Sequence, residues 1–198
     1  DGAGKTYTPK YNTTDTRMQV WLNDALKSSG GKVKLLVKFE FQIPEYGTDR
    51  MGRLDTKNGW VYEVAQWFPR VCVYDDIQGW NTLPYLGAGE FYLEYGDVEF
   101  SVTAPSNMII VGSGELQNPQ ECYTSDQYKR YTEAKSSDKT VVIRSEKDIN
   151  DKKAQPAKPN TTWKFKIQNT RDVAWAASKA FILDAAKINL PDGKKSLA

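Results

Sequence analysis

Alternation of apolar residues with mostly polar neighbours is the strongest signal along the chain. It is clearest over residues 32–43 (KVKLLVKFEFQI), where Val33, Leu35, Val37, Phe39, Phe41 and Ile43 fall on every second residue. A period of two puts these side chains on one face of an extended segment, so the clearest strand is predicted here. Alternation resumes over residues 59–66 (GWVYEVAQ) after a glycine-containing loop at 44–58. Residues 91–103 (FYLEYGDVEFSVT) form another β-type stretch, divided at Gly96-Asp97, and a Pro-containing turn at 104–107 then leads into MIIVGSGEL. Residues 140–144 (TVVIR) and 162–167 (TWKFKI) read as strands, and 16–26 as a strand stopped by Ser28-Ser29-Gly30-Gly31. The first fifteen residues are polar and show no period.

The pattern changes once, over residues 125–135 (SDQYKRYTEAK). Tyr128 and Tyr131 stand three apart, with acids early and bases late, which predicts one short helix. Residues 146–160 are charged and contain two prolines, as an exposed connection would. Over 173–183 (VAWAASKAFIL) alanine favours helix while the aromatic residues suit a sheet. No fixed-period repeat is present. Many short strands with one short helix predict an all-β, sandwich-like fold, with residues 1–198 as a single domain.

Composition narrows the chemistry. With 39% hydrophobic, 26% charged and 12% aromatic residues, the 198-residue chain has the make-up of a folded protein with a core of its own. The apolar runs at 108–111 and 174–177 fall far short of the ~18–20 residues of a membrane helix, so no span is expected. Histidine is absent, which excludes imidazole-based triads and histidine-ligated zinc within this chain. Lys plus Arg number 27 and Asp plus Glu 25, for a net charge of +2 with the signs interspersed, which argues against nucleic acid as a partner. Cys72 and Cys122 are either one bridge or two free thiols. The opening at Asp1, without the basic start and apolar run of a signal peptide, is that expected of a trimmed piece of a longer polypeptide.

Short motifs add little. Gly87-Ala88-Gly89 and Gly112-Ser113-Gly114 lack the continuation of a phosphate loop and read as turns. Asp75-Asp76 could contribute to a hard-cation site only with several further oxygens, so a turn is the simpler reading. Asn12-Thr13-Thr14 and Asn160-Thr161-Thr162 match the glycosylation triplet, a pattern common by chance. More unusual is the density of large rings between Trp60 and Tyr95, among them Trp67, Tyr74, Trp80 and Tyr92. Such rings suit a binding platform for sugars or peptide side chains, or they fill a core.

The stretch AQWFPRVCVYDDIQGWNTLPYLGAGEFYLEYGDVEFSVTAPSNMIIVGSGEL, residues 65–116, resembles the N-terminal domain of the M1 family of zinc aminopeptidases, in particular a Bacteroidetes-like bacterial branch. DVAWAASKAFILDA, residues 172–185, is similar to the segment that closes that domain, and together the two cover about a third of the chain. The resemblance implies a saddle-shaped all-β domain, with 173–183 as strand, packed on a thermolysin-like catalytic domain of the same polypeptide. Zinc, its HExxH ligands and the GxMEN motif would belong to that second domain, and neither motif occurs here. The isolated chain would therefore be non-catalytic, and its parent a zinc aminopeptidase exported to the periplasm or cell surface.

One site residue follows from the resemblance. The family's Thr/Ser-Gln-x-x-Pro pattern is matched at Gln66 and Pro69 within Ala65-Gln66-Trp67-Phe68-Pro69. Its glutamine would reach the active-site cleft and help hold the amino-terminal end of a peptide substrate. Many relatives carry Glu where Phe68 stands here, so the resemblance does not carry that acidic contribution over to this loop. Arg70, Cys72 and Asp75 would be structural support, as a contracted form of the family's Arg-to-Phe-Pro-Cys-x-Asp segment. The alternative reading is an independent carbohydrate-binding β-sandwich that stacks sugars on Trp60, Trp67 or Trp80, and a third is an assembly scaffold without a small ligand.

Overall fold

The computed structural model describes residues 6–46 and 48–198. Strands hold 34% of the residues and helices 10%, so the fold is all-β. The strands in chain order are β1 (Lys10–Thr14), β2 (Arg17–Trp21), β3 (Met51–Leu54), β4 (Val61–Val64), β5 (Tyr74–Asp75), β6 (Gly79–Trp80), β7 (Gly96–Pro105) and β8 (Ile109–Gly112). They continue as β9 (Glu115–Leu116), β10 (Val141–Arg144), β11 (Asn160–Thr170), β12 (Trp175–Ser178), β13 (Leu183–Ala185), β14 (Lys187–Asn189) and β15 (Lys195–Leu197). Helices α1 (Pro119–Cys122) and α2 (Ser125–Ala134) lie between β9 and β10. No helix among the described residues is long and apolar enough to cross a membrane.

The chain divides into two compact units. The first comprises the chain up to Phe41 together with Phe68–Glu94, and the second comprises Gln42–Trp67 and Tyr95–Ala198.

The second unit holds the core. Its main sheet runs β3-β4-β12-β8 and a second runs β7-β11-β9, both antiparallel throughout. The strand β11 alternates as a half-buried strand should: Thr161, Trp163 and Phe165 are buried while Lys164 and Lys166 face outward. Phe165 stacks on Phe100 at 5.0 Å, and Trp163 meets Tyr123 edge-on at 5.3 Å. Gly114, at φ +86, leaves no room for a side chain, since a Cβ there would lie 2.4 Å from the Lys166 carbonyl oxygen. The predicted helix forms as α2. Thr124 and Gln127 cap it reciprocally, and Gln127, Tyr131 and Ala134 give it a buried face. Residues 173–183 contain β12, whose partners β4 and β8 settle the ambiguity in favour of strand.

Two differences from the sequence expectation have a common cause. The loop at 44–58 contains β3, which exists because β4 supplies its ladder, with Met51 opposite Val64. Residues 32–43, the most strongly alternating, belong to no strand, because among the described residues no ladder partner meets them. Alternation specifies which face a strand would bury, but a strand also requires a neighbour.

The first unit is thin. It contains the two-residue hairpin β1–β2, with Asp15 at φ 53 in its turn, and the small hairpin β5–β6. Val73 is its one buried apolar residue among those described, whereas Val33, Leu35, Phe39, Phe41, Tyr74 and Trp80 are exposed.

Candidate functional site

Gln66 stands two residues beyond the end of β4, half-buried, with φ 52. A left-handed backbone at a residue other than Gly, Asn or Asp is uncommon and costs about 1–2 kcal/mol. Both neighbours are tied down. The Ala65 N–H donates to the Arg50 carbonyl at 3.0 Å, prolonging the β3–β4 pairing, and the Trp67 indole N–H donates to the Val173 carbonyl at 3.1 Å. The Trp67 ring also meets Phe100 edge-on at 6.2 Å. The Val173 side is equally determined: the Asp172 carboxylate accepts from the Val173 N–H at 2.8 Å, and the Ala174 N–H donates to the Ser113 hydroxyl at 3.0 Å. Gln66 is thus a corner over-determined from both sides, the condition under which backbone strain persists and one that recurs at functional sites.

The aromatic residues separate into two kinds. Trp60 and Trp67 are engaged within the second unit: the Arg53 guanidinium lies 5.0 Å above the Trp60 ring, and Trp67 is held as just described. In the first unit Trp80 and Tyr74 remain exposed and meet edge-on at 5.1 Å across β5–β6. Asp75 locks that hairpin. One carboxylate oxygen accepts from the Gln78 and Ile77 N–H groups at 2.7 and 3.0 Å, and the other from the Asn81 amide at 2.8 Å. The Gln78 N–H and the Asn81 amide hold this carboxyl below the usual range. Asp75 is therefore occupied as a turn residue, in the simpler of its two readings.

A separate cleft of about 1140 Å³ opens in the second unit. Tyr123, Tyr131, Ile143 and Phe165 line it together with Glu115 and Lys135, which pair at 3.8 Å; Gln66 does not line it. Arg144 is a buried cation that the sequence did not single out. Its guanidinium donates to the Phe181 carbonyl at 2.6 Å and lies 3.5 Å from that of Ile149, and burial lowers its pKa against the opposing pull of Asp148. These contacts satisfy the ion with backbone oxygens, as a structural arginine requires.

Neither cysteine is bridged. Cys122 is buried, its Sγ 3.6 Å from both the Asn118 amide oxygen and the Thr162 carbonyl, and burial pushes its thiol up to about 12. Zinc is poorly matched by this donor set: the chain has no histidine, and among the described residues no three His, Cys, Asp or Glu side chains cluster. No family model, no curated protein and no solved structure matches the chain.

Proposed function

We propose that this chain is the non-catalytic N-terminal β-domain of an M1-like zinc aminopeptidase, and that Gln66 helps anchor the amino terminus of a peptide substrate. The strained corner at Gln66 is the observation that carries the reading: φ 52 between two anchored neighbours gives the residue a fixed backbone from which to present its amide. It falls at the glutamine of the Gln-x-x-Pro pattern ending at Pro69, on which the resemblance rests. A glutamine Oε1 accepts a hydrogen bond from an ammonium group and its Nε2 donates to a carbonyl, so the side chain positions a free amine without adding charge. Zinc, in this reading, is held by the catalytic domain of the same polypeptide, and this chain contributes a wall of the cleft.

The test is kinetic and uses the full-length enzyme. Gln66→Gly retains the backbone conformation and removes the amide, and it is expected to lower kcat/KM for peptides with a free amino terminus about tenfold, the loss of one hydrogen bond to a charged group. Unchanged kinetics would refute the role. The open reading frame should continue into an HExxH motif, and a frame ending at Ala198 would refute the parentage.

The exposed Tyr74–Trp80 pair favours a second reading, a carbohydrate-binding module. Affinity electrophoresis in polysaccharide gels separates the two, since retardation that Trp80→Ala abolishes belongs only to the module.

A further inference from the structure

Residues 33–41 combine three properties. Among the described residues they form no strand, take part in no sheet and make no backbone–backbone hydrogen bond, which leaves their N–H and C=O groups available to a ladder. Their odd positions, Val33, Leu35, Val37, Phe39 and Phe41, are all apolar and 39–48% exposed. Phe39 and Phe41 stack at 6.1 Å with their planes 6° apart, so side chains two residues apart already share one face. The even positions, Lys34, Leu36, Lys38 and Glu40, are exposed as well.

Charge and register identify the occupant. Placed antiparallel to itself about Val37, the segment sets Val33 against Phe41, Leu35 against Phe39, and Val37 against its own copy. The same register sets Lys34 against Glu40 twice and lays the Lys38 stem along Leu36, so no like charges meet. A parallel arrangement in register would instead oppose Lys34 to Lys34 and Lys38 to Lys38. Moving the antiparallel centre to Leu36 would oppose Lys34 to Lys38, and moving it to Phe39 would leave Lys34 unpaired and draw in Gln42 and Ile43, which belong to the second unit and of which Ile43 is half-buried. Among the described residues Lys34, Lys38 and Glu40 take part in no ion pair, which leaves them available.

We infer that residues 33–41 are a self-complementary edge through which two copies of this chain pair across a two-fold axis, as an intermolecular antiparallel β-ladder centred on Val37. The contact is isologous, each Lys34 meeting the other copy's Glu40, so it closes as a dimer. Nine residues a side is well below the roughly 20–30 of a standard interface, so the dimer is expected to be weak.

Sedimentation equilibrium up to about 300 µM tests this on the 198-residue chain and on the full-length polypeptide side by side, with circular dichroism to verify folding. Both are expected to dimerise. Lys34→Glu and Glu40→Lys each place two like-charge pairs across the axis and should weaken the dimer about tenfold. The double variant should restore it, and mixing the two single variants should yield a heterodimer tighter than either homodimer. Monomers throughout the range, or a dimer indifferent to these charge reversals, would overturn the inference. A full-length polypeptide that stays monomeric while the shorter chain dimerises would overturn it too, because a strand of the parent would then occupy the edge. None of these outcomes depends on the aminopeptidase reading.

Discussion

The indole N–H of Trp67 donates to the backbone carbonyl of Val173, a contact at 3.1 Å between residues 106 positions apart. It joins the chain just beyond β4 to the chain just before β12, two strands that also pair directly, with Trp175 opposite Val64. The corner at Gln66 is therefore clamped by a sheet ladder on one side and an aromatic anchor on the other. Local sequence preference alone would not place a glutamine there, and the clamp supplies what that preference lacks.

Substitution at this corner should invert the usual strand-end order. Valine normally exceeds glycine near a strand, but at φ 52 a β-branched side chain is strained and glycine is relaxed. Gln66→Gly is expected to leave stability within about 0.5 kcal/mol of the parent sequence, and Gln66→Val to lower it by about 2 kcal/mol. Urea denaturation of the two variants decides the matter, and a more stable valine variant would show that the left-handed corner does not exist.

Acid should expose a second feature. Burial raises the pKa of Asp148, but the Ser145 N–H and hydroxyl, at 2.7 and 3.0 Å, together with Arg130 and Arg144, outweigh it and hold the carboxyl below its ordinary value. A folded pKa below the unfolded one means that this carboxylate stabilises the fold above the unfolded pKa, about 3.9, and that the contribution is lost as pH falls through the folded value. Asp148→Asn should therefore cost about 1 kcal/mol at pH 7, as for loss of a cap, and the gap should narrow as pH falls below about 3.9. Thermal melts from pH 7 down to pH 2.5 measure it, and a gap that does not narrow at all toward the acid end would contradict the ionic account.

The two thiols should differ in reactivity. Cys72 is half-buried, whereas Cys122 is buried with its thiol pushed up to about 12, so at pH 8 it presents almost no thiolate. One thiol is expected to react readily with a disulfide reagent in the native chain, and the second only on unfolding, with mass spectrometry assigning the first to Cys72. The raised pKa of Cys122 also predicts stability that is full below the unfolded pKa, about 8.5, and declines as pH rises toward 12. Cys122→Ala should flatten that alkaline decline.

Several elements were legible from local chemistry. The helix at α2 could be read because its tyrosine spacing is local, and its Thr124–Gln127 cap spans only three residues; the charge order is only half realised, since its last turn holds Glu133 and no base. β10 and β11 fall on stretches that read as strands, and the buried face of β11 is the one that period two predicts. The strand β3 was not legible, since Met51, Gly52, Arg53 and Leu54 show no period and are recruited by β4. Within the site, the resemblance selected Gln66, but no residue pattern announced its left-handed backbone, because glutamine lacks the preference for that region that Gly, Asn and Asp have.

By itself the sequence determined the all-β class, the single well-formed helix and the absence of imidazole chemistry, because each depends on residue type or on spacings of a few positions. Tertiary structure alone decided which alternating segments became strands. It ordered β4, β12 and β8 side by side, clamped Gln66 between Arg50 and Val173, and left residues 33–41 outside every sheet of the described residues. The physical reason is that a strand is completed by hydrogen bonds to another piece of chain, and which piece arrives is set by the whole fold rather than by any local pattern.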